Sequence, residues 1–170
     1  QVASAFRSWR TSRSTENGVR IVRLPTYVPD VPTGARRVAH HASFAAGALP
    51  ALLVEAKRER PDVVIVIAPS LLSVAVARVI TTVLGAKLWL HIQDFEVDAA
   101  IATNLLPDGG ILGKVARAFE KWALVADRVS AISPQMCTRL SARGVASDRI
   151  IEFRNWATLE VGPDLPSGGE

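Results

Sequence analysis

Three short apolar runs, each followed by a stretch long enough for a helix, constrain this chain more than any other feature. They are Asp62-Val-Val-Ile-Val-Ile67, Lys87-Leu-Trp-Leu-His-Ile92 and Asp127-Arg-Val-Ser-Ala-Ile132. Their alternating positions are largely apolar in both sets, as in parallel strands covered by the helices that connect them. Helix-compatible segments follow at 70–84, 111–125 and 134–143, the last ended by Gly144. The expected class is therefore α/β, a parallel sheet with helices on both faces. A last short strand is expected over 150–153, and beyond Asn155 the Pro- and Gly-rich sequence reads as a linker or tail.

Before the first run the punctuation is different. The polar stretch from Ser8 ends in the turn signal Glu16-Asn17-Gly18, and Val19 to Leu24 alternates like a half-buried strand. Pro25, Pro29 and Pro32 then predict an extended loop, and Thr33 or Gly34 opens a long helix. Val38, Ala42, Ala45, Leu49, Leu52 and Ala56 recur every three or four residues and define its expected core face. Arg36, His40, Ser43 and Gly47 fall opposite, and Pro50 is expected to kink or split the helix. In the 111–125 helix, Ile111, Val115, Phe119 and Trp122 share one face and Lys114, Arg117 and Lys121 another.

Val63 to Ala86 is long enough to span a bilayer and nearly uncharged. Its β-branched start, the Ala68-Pro69-Ser70 punctuation and the central Arg78 favour a buried strand, a turn and a core helix instead.

Composition excludes several classes. With 170 residues, 49% apolar and 21% charged, the chain is neither disordered nor collagen-like, and it can bury a core. A lone cysteine, Cys137, cannot form an internal disulfide, which points to a reducing compartment. The formal charge of +4 is uneven: residues 1–60 hold ten Lys/Arg against four Asp/Glu, and the remainder ten against twelve. That bias suits either a solvated surface or a partner bearing phosphate or an anionic headgroup. Aromatics are few and not interleaved with the basic residues, so no nucleic-acid partner is expected. The start has no apolar signal region. It also has no initiator methionine, and the chain reads as a piece of something longer.

Ligands of parallel sheets bind beyond the carboxyl ends of the strands. This selects Leu24-Pro25, Ala68-Pro69-Ser70, the loop His91-Ile-Gln-Asp-Phe-Glu-Val-Asp98, and Ser133-Pro134. Asp94, Glu96 and Asp98 place three carboxylates just past a histidine. They suit proton transfer from a hydroxyl nucleophile; equally, Asp94 could cap the next helix with Glu96 and Asp98 as first-turn acids. No second His/Cys cluster exists to complete a metal shell, so no metal is expected. Gly109-Gly-Ile-Leu-Gly113 follows no strand and fails as a phosphate cradle. Ser133 with Pro134 reads as an N-cap and first helical residue whose amides could also hold an anion. Arg36, Arg37, His40 and His41 at the start of the long helix could meet a phosphate or lipid headgroup.

Several segments together resemble a known family. Trp89-Leu-His-Ile-Gln-Asp-Phe-Glu-Val-Asp-Ala99, Ala118-Phe-Glu-Lys-Trp122, Asp127-Arg-Val-Ser-Ala-Ile-Ser-Pro-Gln-Met136 and Phe153-Arg-Asn-Trp156 are similar to family 4 glycosyltransferases. The colanic-acid and exopolysaccharide enzymes of bacteria are the subgroup most resembled, and Tyr27-Val-Pro with Gly34 to Phe44 fits the same subgroup. The resemblance runs along nearly the whole chain. It implies a Rossmann-like three-layer domain, the amino-terminal part of a two-domain GT-B fold. Residues 1–156 would form the acceptor-side domain, lacking its first strand and helix, and 157–170 the start of an interdomain linker or tail. The family's Asn-Trp-Val-Asp exit motif reads Asn155-Trp-Ala-Thr158 here.

The resemblance further implies a retaining glycosyltransferase that needs no metal or cofactor. A nucleotide-sugar donor would be a co-substrate held mainly by a carboxyl-terminal domain, so this part would be inactive alone. Asp94 would orient or deprotonate the acceptor hydroxyl, with His91 and Glu96 in support. Arg36, Arg37, His40 and Asp98 would lie toward a polyprenyl-diphosphate-linked or saccharide acceptor. The implied location is cytoplasmic, peripheral at the inner face of the bacterial plasma membrane, in contact with anionic lipid. Two other readings stand beside this one: a non-catalytic α/β module for an anionic ligand or partner, and another GT-B enzyme such as a sugar-nucleotide epimerase, which lacks the wording of the 91–98 loop.

Overall fold

The computed structural model describes residues 10–31, 33–68, 71–95, 97–98, 101 and 110–155. Glu96, Pro69, Ser70, Trp156 and the 157–170 tail lie outside the described residues, and so do the expectations placed on them.

Strands β1 (Ser12–Glu16) and β2 (Val19–Arg23) form an antiparallel hairpin. Its two-residue loop, Asn17-Gly18, has positive φ at both positions, the tight turn whose twist matches that of the strands. β1 was expected only as polar chain; it has no apolar stripe, and Arg23 ties it across the hairpin to Ser14 and Glu16. Helix α1 (Gly34–Glu59) runs unbroken through Pro50, so the helix is not split there. Both arms are held from outside. The loop around Tyr27 bonds to His40 and Ser43 on one arm, and Arg13 and Arg20 of the hairpin pair with Glu55 and Glu59 on the other.

Strands β3 (Val63–Ala68), β4 (Lys87–Ile92), β5 (Arg128–Ala131) and β6 (Ile150–Glu152) form one parallel sheet in chain order. Helices α2 (Leu71–Leu84), α3 (Gly110–Ala123) and α4 (Pro134–Ala142) connect them. This is the α/β, Rossmann-like class expected from the sequence. Right-handed crossovers that always step in one direction place their helices on one face. The core accordingly joins Val66, Leu90, Ile92 and Val129 of the strands to Val74 and Leu140 of the helices. The opposite face carries Ile65 and Ile67 at 58% and 54% exposure. Helices on both faces are thus met on one face among the described residues, and β3 is an edge strand rather than a central one.

The long apolar stretch resolves into β3 and α2, and no helix among the described residues is long and apolar enough to cross a membrane. Arg78 of α2 has a structural task. Its guanidinium donates to the carbonyls of Trp122 and Val125 at 3.0 and 2.5 Å, at and just beyond the end of α3, and so ties the two helices together. Asp127 does the same at the start of β4, accepting from Leu88 N at 2.9 Å, and that bond holds its carboxyl below the usual range.

Two helix faces differ from the periodicity. On α1, Val38, Ala42 and Leu52 are exposed, whereas His40, Ser43 and Gly47 turn toward the 24–28 loop and are half-buried. On α3, Ile111 and Val115 stand out at 81% and 59% exposure, while Gly113, Glu120 and Ala123 are buried. In both cases the face turned to the neighbouring element is small or polar, and several of the larger apolar residues are left outside.

Truncating a core residue and an uncovered one should separate the two faces. Leu90→Ala is expected to cost about 2–5 kcal/mol, whereas Ile65→Thr should stay within about 0.5 kcal/mol. Urea midpoints measured on both variants check the contrast, and equal losses would contradict it.

Candidate functional site

The carboxyl ends of β4, β5 and β6 converge on one edge of the domain. β4 delivers Gln93 and Asp94, β5 delivers Ser133, and β6 is followed by Phe153 and Asn155. Gln93 Nε2 donates to Asn155 Oδ1 at 3.5 Å and bridges the ends of two non-adjacent strands. The side chain of Asp94 is exposed.

Beneath this rim lies a buried polar chain. Trp89 and His91 point to the helix-free face of β4, and Ser130 faces His91 across the ladder. Trp89 Nε1 donates to Ser130 Oγ at 2.8 Å, and Ser130 Oγ lies 2.8 Å from His91 Nδ1. Ser130 is fully buried, so its own hydroxyl proton needs an acceptor, and His91 Nδ1 is the one at hand. The chain therefore runs Trp89 to Ser130 to His91, which leaves the proton of His91 on Nε2. Burial also pushes the imidazole pKa down, favouring this neutral form. Phe153 closes over both rings edge-on, with centroids 6.1 Å from Trp89 and 5.4 Å from His91.

A second network pins the loop after Asp94. Phe95 is buried beneath two guanidiniums, Arg139 at 4.4 Å and Arg143 at 4.2 Å from the ring centroid. Both arginines pair with Asp98, and Arg143 also reaches Glu120 at 2.8 Å. Burial raises the pKa of Glu120, against the pull of Arg143. Asp98 is thus engaged by two cations, Arg139 in α4 and Arg143 at its carboxyl-terminal cap. Arg139, Arg143, Glu120 and Phe95 were not singled out from sequence. The four-residue spacing of the two arginines on a helix was the available signal; their partners lie far away along the chain.

Ser133 caps α4, its Oγ accepting from Met136 N at 3.3 Å, with Pro134 at the first turn. Arg36 and Arg37 are exposed near the start of α1. His40 Nδ1–H donates to the Tyr27 carbonyl at 2.5 Å, which turns Nε2 away from that loop. No hydrogen bond or ion pair among the described residues joins this group to Asp94 or Asp98. The structure brings His91, Asp94, Asp98 and Ser133 to one side of the sheet by topology, and it holds Arg36, Arg37 and His40 on a separate element. Among the described residues, no three His, Cys, Asp or Glu side chains gather as a metal shell.

The sequence of the chain matches a known family. The glycosyl transferase 4-like domain family matches residues 2–156. The chain belongs to that family. A relative in Escherichia coli (strain K12), the glycosyl transferase WcaI named for colanic acid biosynthesis, is 35% identical over 162 residues. The match covers 94% of this chain and 39% of that protein, so the chain spans well under half of its relative's length.

The neutral form of His91 is the one the fold accommodates, so the unfolded chain gains a proton first as pH falls. Its contribution to stability is constant above the ordinary histidine pKa of about 6.5 and is lost below it. The urea midpoint is therefore expected to fall between about pH 7 and 5.5, and less so in His91→Gln. Equal acid sensitivity in both proteins would contradict the buried neutral assignment.

Proposed function

We propose that this domain is the acceptor-side part of a retaining glycosyltransferase in exopolysaccharide biosynthesis. The observation that supports it most is an exposed carboxylate, Asp94, held at the carboxyl end of a buried strand in a domain of this family. Asp94 lies two residues beyond β4 and one before the pinned Phe95, so it is set on a short, fixed lever. In this reading its carboxylate orients the acceptor hydroxyl and takes its proton as the new glycosidic bond forms. The anomeric carbon keeps its configuration, and the nucleoside diphosphate leaves with the electrons of the broken bond.

His91 supports the rim from below through its fixed tautomer, and Glu96 would assist from the same loop. Asp98 shapes the acceptor side through Arg139 and Arg143. Arg36, Arg37 and His40 receive the phosphate of a polyprenyl-diphosphate-linked acceptor or the hydroxyls of a saccharide. The amides at Ser133 offer a further anion contact. The donor is a nucleotide-sugar gripped mainly by a part of the enzyme outside this chain, so the domain alone is inactive. The reaction uses no metal or cofactor. The enzyme works in the cytoplasm, peripheral at the inner face of the plasma membrane.

In the complete enzyme, Asp94→Asn should lower transfer at least about 10²-fold while leaving nucleotide-sugar binding unchanged. Unaltered turnover would refute the role. Arg36→Ala with Arg37→Ala should raise the acceptor KM with kcat nearly constant, measured by steady-state kinetics on a phosphate-bearing acceptor. A drop in kcat alone would remove these residues from acceptor binding.

A further inference from the structure

Between β2 and α1 the fold leaves a cavity of about 290 Å³. Its walls are Val22 and Leu24 on one side and Phe44, Ala48, Ala51 and Leu52 on the other. The hairpin and its loop are held to α1 at two points, and both clamps are polar. At one, Arg20 pairs with Glu55 and Glu59 at 3.8 and 2.5 Å, and Arg13 with Glu55 at 3.2 Å. At the other, Tyr27 N–H donates to Ser43 Oγ at 3.0 Å, and His40 donates to the Tyr27 carbonyl. Between the clamps, two of the four helix positions are alanines, which bring only a methyl group toward β2.

The cavity has a direction. From Phe44 to Glu55 its floor runs about 16 Å along α1, at 1.5 Å per residue. At 3.6 residues per turn, Phe44, Ala48, Ala51 and Leu52 share an arc of about 100°, and Arg37 and His41 fall in the same arc. Arg37 is exposed and stands about 10 Å from Phe44 toward the start of the helix, whose first turn carries no acid. The apolar floor thus leads to a cationic end, and Arg20 with Glu55 bounds the other. Phe44 and Leu52 are 39% and 41% exposed, apolar surface that the described residues leave uncovered.

We infer that this cavity takes the prenyl chain of the acceptor, with its diphosphate at Arg37 and the first isoprene units against Phe44 and Ala48. A linear apolar chain with an anionic head complements an apolar slot with a cationic end. A peptide would bring backbone polar groups that these walls leave unpaired. The volume lies at the lower limit of ordinary ligand pockets, room for a few isoprene units rather than a whole polyprenyl chain. The inference deepens the acceptor part of the reading above and rests on it for the acceptor's chemical class alone.

Calorimetric titration of the complete enzyme with farnesyl diphosphate, inorganic diphosphate and farnesol tests this without transfer. Farnesyl diphosphate should bind about tenfold or more tighter than either part alone. Ala51→Leu fills the slot and should lower farnesyl diphosphate affinity about tenfold, with inorganic diphosphate unchanged. Phe44→Ser with Leu52→Ser strips exposed wall instead of adding volume and should give the same selective loss. Ile65→Thr on the uncovered sheet face should change nothing, and circular dichroism should show intact folds throughout. Equal affinity for farnesyl and inorganic diphosphate, or wall variants that bind farnesyl diphosphate like the parent, would overturn the assignment. So would a dimer that dissociates in Ala51→Leu without farnesyl diphosphate binding, which gives the slot to a second copy. Tighter binding of dodecyl phosphate than of farnesyl diphosphate would overturn it in favour of an acyl lipid. Parent-like transfer to a prenyl-linked acceptor in Ala51→Leu overturns the slot and leaves the transferase reading intact. Slot-dependent binding without transfer in the parent overturns only the transferase reading.

Discussion

The four parallel strands run β3, β4, β5, β6 without a reversal, and the rest of the domain follows from that. Crossovers that step in one direction place α2, α3 and α4 on a single face, and among the described residues no helix covers the other. At β4 and β5 it is closed. The Trp89–Ser130–His91 chain satisfies its own polar atoms, and Phe153 lies across the rings. At β3 it is open, with Ile65 and Ile67 exposed. The buried histidine thus depends on a residue that follows β6, and the end of the sheet helps to build the rim.

The rim itself is stiffened by charge. Phe95 is held under two guanidiniums whose counter-charges are Asp98, in the helical residues just after it, and Glu120 of α3. Arg143 serves both carboxylates. Removing it would leave Glu120 buried without its counter-ion, which costs more than any single exposed pair contributes. The pinning of Phe95 fixes one end of the two-residue lever that carries Asp94, and β4 fixes the other.

Local signals were legible in the sequence and pairings at a distance were not. The strands, the Asn17-Gly18 turn and the Ser133 cap each arise from a few adjacent residues, and each is found where the sequence places it. Strand β1 escaped notice because Ser12-Arg-Ser-Thr-Glu16 has no apolar alternation and is defined by its partner strand. On α1 and α3 the periodicity reveals an apolar stripe without saying whether anything covers it. Of the site, the position of Asp94 and the burial of His91 follow from strand ends and patterning. The Asp98–Arg143 pair does not, since its members are separated by two helices and a strand.

Helix α3 links these two levels. Its inward face carries Glu120, which reaches Arg143 and through it Asp98 and Phe95; its outward face carries the exposed Ile111 and Val115. The two faces belong to one short helix of 14 residues, clamped at its end by Arg78. The Glu120–Arg143 ion pair thus connects this helix to the segment that follows Asp94.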